Sequence, residues 1–258
     1  MRILWLIVTA VCILAGLPGG NGAQAASDIR LLSSTALNEI MQVLAPQFTR
    51  ATGHTLVMEF ESSTVVKRMI EAGAKFDIAI ATPVMIADLA RQGKLTVGPE
   101  IARGGFGVAI RAGAARPDIS TTAAFRATVL GAKSIIYSKD GQSGQHMVSV
   151  LERLGIAEQM RPRIVERMTS GPVAENVARG EAELGFQSIS EILSAKGAEL
   201  LGPLPAELQG YITLAAGLVV DPQGDPQRGA ATQDLWRFLA TPAAVEVMKK
   251  YGMESLAR

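Results

Sequence analysis

An apolar run passes directly into a helical repeat in the stretch IRLLSSTALNEIMQVLAPQF, residues 29–48. Residues 29–32 are predicted to form a buried strand. The apolar positions from Leu37 to Phe48 then recur every three or four residues, as on one buried helix face. Three small hydroxyl residues separate these two elements: Ser33, Ser34 and Thr35. A strand that passes at once into a helix is the repeating unit of an α/β fold.

Small polar residues occupy the same place three more times along the chain. These runs are Ser62-Ser63-Thr64, Gln142-Ser143-Gly144 and Thr169-Ser170-Gly171. The first turn of a helix carries unpaired N–H groups and a partial positive charge. Several such turns that meet at one point would hold a small anion without any charged side chain. The alternative for each run is an ordinary helix N-cap, for which Ser and Thr are preferred.

Apolar runs and helical periodicity alternate along nearly the whole chain. The predicted strands are Ile29–Leu32, Thr55–Phe60, Phe76–Ala81, Gly107–Arg111, Ser134–Tyr137, Ile164–Arg167, Gly185–Gln187 and Tyr211–Val220. Pro46 should bend or divide the first helix. The alternation predicts mainly parallel strands covered by helices on both faces, with ligands bound at the carboxyl ends of the strands.

Two stretches indicate that the chain crosses between lobes. One is the glycine pair at Gly104-Gly105, and the other is the proline-rich segment from Gly202 to Pro205. We therefore expect a discontinuous first lobe, residues 26–103 plus 204–258, and a continuous second lobe, residues 104–203. A ligand cleft is expected between the two hinged lobes.

The first 25 residues have the pattern of a secretory signal. Arg2 precedes an apolar run from Ile3 to Leu17, and an A-x-A cleavage pattern ends at Ala25. We expect cleavage near Ala25 and export of the remaining chain. The only cysteine, Cys12, lies inside this segment, so disulfides, thiolate metal sites and a cysteine nucleophile are excluded from the exported part.

Charge, histidine content and the absence of a hydrolase motif argue against several classes of function. Without residues 1–25, the counts of basic and acidic residues are equal at 24. A neutral chain predicts no nucleic-acid partner. The two histidines, His54 and His146, make a metal site implausible, and we predict no cofactor. No G-x-S-x-G motif is present, so no serine is assigned a catalytic role.

Several motifs resemble those of periplasmic solute-binding proteins related to the molybdate-binding component of bacterial ABC importers. They occur in the order typical of that family over essentially the whole exported chain: Leu32–Glu39, Ala45–Phe48, Glu61–Thr64, Ile70–Gly73, Phe76–Ala81, Gly180–Gly185 and Phe238–Met253. The resemblance implies the α/β fold of type II periplasmic-binding proteins, in which two Rossmann-like lobes joined by a two-crossing hinge close on the ligand.

In molybdate-binding proteins, neutral hydroxyls and backbone N–H groups from both lobes hold the oxyanion. The resemblance places these contacts at or beside Thr35, Ser63, Ser143, Ser170 and Ser188. The neighbouring residues Ser34, Gly144, Gly171 and Gln187 lie in the same turns and are also predicted to bind the ligand. This chain reads Gln187-Ser188 where those proteins commonly have a tyrosine, and an amide can serve a partly protonated or organic ligand.

Two further side chains are candidates for the cleft. Arg103 lies at the predicted crossing and would favour a carboxylate ligand through its bidentate fork; the alternative is a solvated hinge arginine. His146 would either touch the ligand or lie on the surface, and His54 is expected to be exposed.

These observations predict a monomeric periplasmic protein that captures a small anion and delivers it to the membrane permease of an ABC importer. The ligand stays open between an oxyanion such as molybdate and an organic carboxylate. Two alternatives remain: an exported enzyme that acts on a small anion in the same cleft, and a ligand-sensing receptor protein that does not serve transport.

Overall fold

The computed structural model of the protein describes residues 27–167, 173–220 and 226–257. Within these ranges the chain forms one mixed sheet with helices packed against it. The strands are β1 (Asp28–Ser34), β2 (Thr55–Glu61), β3 (Ile78–Ala81), β4 (Leu95–Arg111), β5 (Ile135–Ser138), β6 (Ile164–Arg167), β7 (Leu184–Ser188), β8 (Ala198–Pro203), β9 (Tyr211–Val219) and β10 (Met253–Ser255). The α-helices are α1 (Asn38–Thr52), α2 (Ser63–Glu71), α3 (Pro83–Arg91), α4 (Thr122–Gly131), α5 (Gln142–Arg153), α6 (Ala157–Met160), α7 (Val173–Ala178), α8 (Ile189–Ser194), α9 (Pro226–Leu239) and α10 (Pro242–Lys250). Two 3₁₀ turns are Thr35–Leu37 and Arg161–Arg163. The predicted signal segment, residues 1–25, lies outside the described residues.

The opening stretch folds as its pattern predicts, with one difference. The apolar residues of α1, among them Leu44 and Phe48, are fully buried in the core that it shares with β1. Pro46 does not divide the helix, which runs unbroken to Thr52 and ends at Gly53 with φ +82°. Pro46 lies on the solvent side, and the buried residues before and after it hold the helix on the sheet.

The sheet is mixed rather than mainly parallel, so that prediction is wrong. Its strand order is β2-β1-β3-β9-β4-β7-β5-β6, and β8 and β10 also pair with β4. Pairs joined by a helix crossover are parallel, as expected: β1 with β2 and β3, and β5 with β6 and β7. The long strands β4 and β9 run antiparallel to their neighbours. The sequence reading did not include β8, β10 or the first part of β4.

Strand β4 changes partner along its length. Up to Gly105 it pairs with β9, and from Phe106 onwards it pairs with β7 and β8. The change lies near the crossing predicted at residue 103; the lobe boundaries at residues 103 and 204 remain a prediction. We call β1–β3, β9, β10 and β4 up to Gly105 the first half, and β5–β8 with the rest of β4 the second half.

Parallel pairing brings strand ends together at one edge in each half. The ends of β1 and β2 are in register, with Ser34 opposite Glu61. In the second half, β5 and β7 are parallel neighbours that end at Ser138 and Ser188. The turns that follow these four strands meet in one cavity. No helix within the described ranges has the length and apolar character required to cross a bilayer.

Candidate functional site

A cavity of about 50 Å³ lies where strand-to-helix turns of both halves meet. Its polar lining consists of Ser34, Thr35, Ser62, Ser63, Thr64, Ser138, Asp140, Gln142, Ser143, Gln187, Ser188 and Glu191. Apolar side chains complete the wall: Ala36, Phe106, Val173 and Ile212. The described lining residues therefore include no lysine, arginine or histidine, so neutral hydroxyl and N–H groups are the donors at this cavity.

The turn after β1 places two hydroxyl residues at the cavity. Ser34 ends the strand, and its Oγ accepts a hydrogen bond from the backbone N–H of Ala36 over 3.4 Å. Thr35 opens the 3₁₀ turn, and its side chain is hydrogen-bonded to the carboxyl group of Glu191 in the second half. The Thr35 hydroxyl is therefore both a wall of the cavity and a link between the two halves.

The turn after β2 contains a buried hydroxyl without a partner. Ser62 caps α2, because its Oγ accepts from the N–H of Val65 over 3.3 Å. Ser63 is 5% exposed and lines the cavity, and its Oγ has no hydrogen-bond partner among the described residues. Since a buried hydroxyl without a partner is costly, this group is suited to a bound ligand.

The turn after β5 is shaped by glycine. Gly141 is the N-cap residue of α5, and Gln142 and Ser143 follow it at the cavity wall. Gly144 does not line the cavity. A Cβ at Gly144 would lie 1.8 Å from the backbone oxygen of Ser138, so only glycine allows the helix to begin this close to the strand end.

In the turn after β7, some residues line the cavity and also form hydrogen bonds with neighbouring residues. Ser188 and Ser190 share a hydrogen bond of 2.8 Å between their hydroxyls, and Ser190 donates to the backbone oxygen of Ala36 over 2.9 Å. The Gln187 amide accepts from the N–H of Ala174 and donates to Glu191, each over 3.0 Å. Gln187 therefore lines the cavity, yet its amide also positions Glu191.

Glu191 is the site residue that sequence reasoning missed. It is partly buried, and desolvation raises the pKa of its carboxyl group to about 7, although hydrogen bonds from Thr35, Gln187 and the Ser188 N–H oppose this rise. The signal was present in the sequence, because Ser188 and Glu191 have the S-x-x-E spacing of a capping box. Asp140 and Ser138 at the cavity wall were also not predicted.

The structure brings together six of the ten predicted ligand-binding residues: Ser34, Thr35, Ser63, Ser143, Gln187 and Ser188. Gly144 supports the turn from behind. Ser170 and Gly171, with the rest of the Thr169–Gly171 run, lie outside the described residues. Whether these residues bind a ligand is a prediction.

Arg103 does not line the cavity. Its guanidinium group pairs with the Glu254 carboxylate at 2.6 Å and lies 5.3 Å from the ring centroid of Tyr211, on the exposed side of paired strands β4, β9 and β10. The alternative of a solvated arginine describes it better than the cleft prediction.

Neither histidine lines the cavity. His146 binds the backbone oxygen of Leu208 through Nε2 at 2.7 Å. His54 is fully buried, so the prediction that it is exposed was wrong: its ring packs 6.1 Å from that of Phe48, and its Nδ1 accepts from the N–H of Ser27. The described residues contain no group of histidine, cysteine or acidic side chains arranged to hold a metal ion.

Comparison with known proteins identifies the class. The sequence profile of the bacterial extracellular solute-binding proteins matches residues 29–254, so the chain belongs to this family. The structure resembles the periplasmic molybdate-binding protein of Azotobacter vinelandii with a TM-score of 0.70 and 25% identity, over 87% of this chain and 98% of that one. The type II periplasmic-binding fold predicted from the sequence is confirmed.

Sequence relatives carry two kinds of name. The molybdate-binding protein ModA of Azotobacter vinelandii is 28% identical over 237 residues, covering 89% of this chain and 91% of that protein. Aconitate isomerase of a Pseudomonas species is 27% identical over 240 residues, covering 90% of this chain and 89% of that protein. The predicted resemblance to the molybdate-binding group is confirmed, and the same set of relatives includes one named as an enzyme.

Proposed function

We propose that this protein captures a small anion between its two halves in the periplasm and delivers it, as a monomer, to the permease of an ABC importer. One observation carries the proposal: the buried Ser63 hydroxyl lacks a partner in a cavity lined by helix-initiating turns and by no cationic side chain among the described residues. Neutral donors at such turns compensate the desolvation of an anion.

The names of the relatives support the same function. Those named as molybdate-binding proteins match nearly the full length of this chain. Hydrogen bonds between the two halves also fit a binding protein that closes on its ligand, since Ser190 binds the Ala36 oxygen and Thr64 approaches the Asp140 oxygen at 3.5 Å. An anion that contacts both halves would stabilise the form in which they are joined, through its higher affinity for that form.

A thermal-shift panel tests the proposal and chooses between oxyanions and carboxylates. The panel contains molybdate, tungstate, sulfate, phosphate, and di- and tricarboxylates. At about 100-fold excess over its Kd, a true ligand adds ~2.7 kcal/mol to the free energy of unfolding, which is about 5–11 °C for a chain of this size. A panel without any shift would refute the anion proposal.

Substitution of Ser63 by alanine tests the site itself. We expect Ser63→Ala to weaken binding about 10-fold or more, because a hydrogen bond to a charged group contributes ~1.5–3 kcal/mol. Thr82→Ala is the matched control: Thr82 is also a buried hydroxyl residue without a side-chain partner at a strand-to-helix turn, yet it does not line the cavity. Equal affinity of both variants by calorimetry would remove Ser63 from the site.

A second candidate function is isomerisation of a small carboxylate. The relative named aconitate isomerase suggests it, and Glu191 favours it because a carboxyl group with a pKa of about 7 at an anion cavity is suited to proton transfer at neutral pH. Incubation with cis- and trans-aconitate, followed by chromatography, decides between the two functions. Product in molar excess over protein indicates an enzyme, and its absence with binding retained indicates a receptor.

A further inference from the structure

Glu191 lies between two cavities. It lines the site cavity and also a neighbouring cavity of about 270 Å³, and Thr35, Ala36 and Gln187 line both. These four residues therefore form the partition between the two spaces. A ligand held by the turns of the site cavity would therefore lie beside the Glu191 carboxyl group in the cavity wall.

The charged side chains described in the linings of these two cavities are acidic. Asp140 lines the site cavity, and Glu39 and Glu175 line the neighbouring one, where Glu175 is exposed and pairs with Arg179 at 3.9 Å. The described lining residues of both cavities include no lysine, arginine or histidine. An anion in the site would therefore add one more negative charge beside Glu191, with no cation in the lining to balance it.

The three groups that stabilise the ionised carboxylate are neutral donors. They are the Thr35 hydroxyl, the Gln187 amide and the Ser188 N–H. Burial outweighs them, so the pKa of Glu191 is about 7 before any ligand arrives. The Thr35 hydroxyl is also a predicted donor to the ligand, and an anion that takes this donor leaves the carboxylate less stabilised.

We propose that Glu191 belongs to the binding site as the neutral carboxylic acid, so that at mildly alkaline pH the protein takes up close to one proton from solvent with each anion it binds. The added proton removes the repulsion and turns an acceptor at the wall into an O–H donor for the anion. This inference rests on the proposed anion-binding function and adds proton coupling to it.

Calorimetry at two pH values tests the coupling in the full protein. The probes are sodium molybdate and sodium succinate, whose charges change little between about pH 6.5 and about pH 8.5. If only the neutral acid is competent, affinity should fall about 25-fold over this range, because the competent fraction falls by that factor. Near pH 8, titrations in buffers of different ionisation enthalpy should report close to one proton taken up per ligand.

Two variants test whether Glu191 is the group that takes up the proton when the anion binds. Glu191→Gln keeps a neutral side chain, so it should bind at about pH 8.5 within a few-fold of the wild-type affinity at about pH 6.5, without pH dependence. Glu175→Gln removes an exposed acid of the neighbouring cavity and should keep the wild-type pH dependence.

The possible results separate a failure of the proton coupling from a failure of the anion proposal. Binding that is independent of pH in the wild-type protein, without proton uptake, overturns the coupling and leaves the proposed function intact. Loss of binding by Glu191→Gln at both pH values, in a variant that melts cooperatively, shows that the carboxylate is needed and also overturns it. If neither probe nor any member of the thermal-shift panel binds, the anion proposal fails and this inference fails with it. Proton uptake is measured on the wild-type protein, so this test does not depend on whether a variant folds.

Discussion

The two halves of the molecule deliver similar turns to one cavity but different chemistry. The first half supplies only hydroxyl side chains to the polar lining, from Ser34 and Thr35 after β1 and from residues 62–64 after β2. The second half supplies hydroxyls too, but adds the Gln187 amide and the carboxyl groups of Asp140 and Glu191. The site therefore has one wall of neutral hydroxyl groups and one wall that contains Glu191, whose pKa burial raises to about 7.

This difference shows how one arrangement can serve different ligands. Helix-initiating turns attract an anion whatever the side chains are. In the proposed proton coupling, Glu191 of the second half then makes anion binding depend on pH. The predictions below test that division of roles, beginning with the largest expected effect.

Gly144→Ala should disrupt the second-half wall most strongly. A methyl group at this position would meet the Ser138 oxygen at 1.8 Å, so the turn must move. We expect a loss of about 3 kcal/mol or more in the free energy of unfolding, as for severe overpacking, together with weakened anion binding. Chemical denaturation and calorimetry measure the two effects.

The matched control is Gly131→Ala at the end of α4, where an added Cβ meets no atom within 4 Å. It should change stability by less than about 1 kcal/mol, in the stabilising direction. If the two variants have equal stability, the close approach at Gly144 does not shape the turn.

Glu191→Gln should alter the pH dependence of stability. Folded Glu191 keeps its proton up to about pH 7, whereas its ordinary pKa is 4.5. The stability this group contributes is thus complete below pH 4.5 and is lost as the pH rises through 7. Relative to wild type, the free energy of unfolding of the unliganded variant should therefore increase by on the order of 2–3 kcal/mol as the pH rises between these two values.

Urea denaturation of both proteins at several pH values measures this gain. Other acids, such as Glu71 and Asp88, whose pKa values are lowered by Lys67, titrate in both proteins and cancel in the comparison. Parallel stability curves for wild type and variant would contradict the raised pKa of Glu191.

Arg103→Ala should have the smallest effect. Its ion pair with Glu254 is exposed, and such pairs contribute about 0–1 kcal/mol. Because Arg103 lies outside the cavity lining, anion affinity should stay within about two-fold of wild type. A large loss of carboxylate binding by calorimetry would mean that a first-half cation reaches the ligand, and the comparison of the two walls would need revision.

Much of the fold could be predicted from local pattern. Buried strands such as β1 and β5 have apolar runs bounded by capping residues, and helix α1 has a clear apolar face, so their order identified an α/β fold. Strand β10 was not predicted because it has only three residues, and the first part of β4 alternates poorly between buried and exposed positions. Strand direction was predicted wrongly for β4 and β9, since pairing between distant segments leaves no local signal.

Only part of the candidate site could be predicted, again because local signals are visible in the sequence and distant contacts are not. Ser34 and Ser63 mark local transitions that a sequence displays, whereas the surroundings of a long charged side chain are set by remote segments. Arg103 was assigned to the cleft, but its partner Glu254 lies 151 residues further along the chain. Glu191 has an ordinary position in the first turn of a helix, and only its neighbours in space distinguish it.

The amino-acid sequence by itself determined that small hydroxyl residues follow strands of an α/β fold, because periodicity and capping depend on residues close along the chain. Only the tertiary structure decided that four of these turns meet in one cavity, that Arg103 lies outside it and that the Glu191 carboxyl group lies at its wall. Burial and pKa depend on every segment that packs around a group, and those segments come from distant parts of the chain.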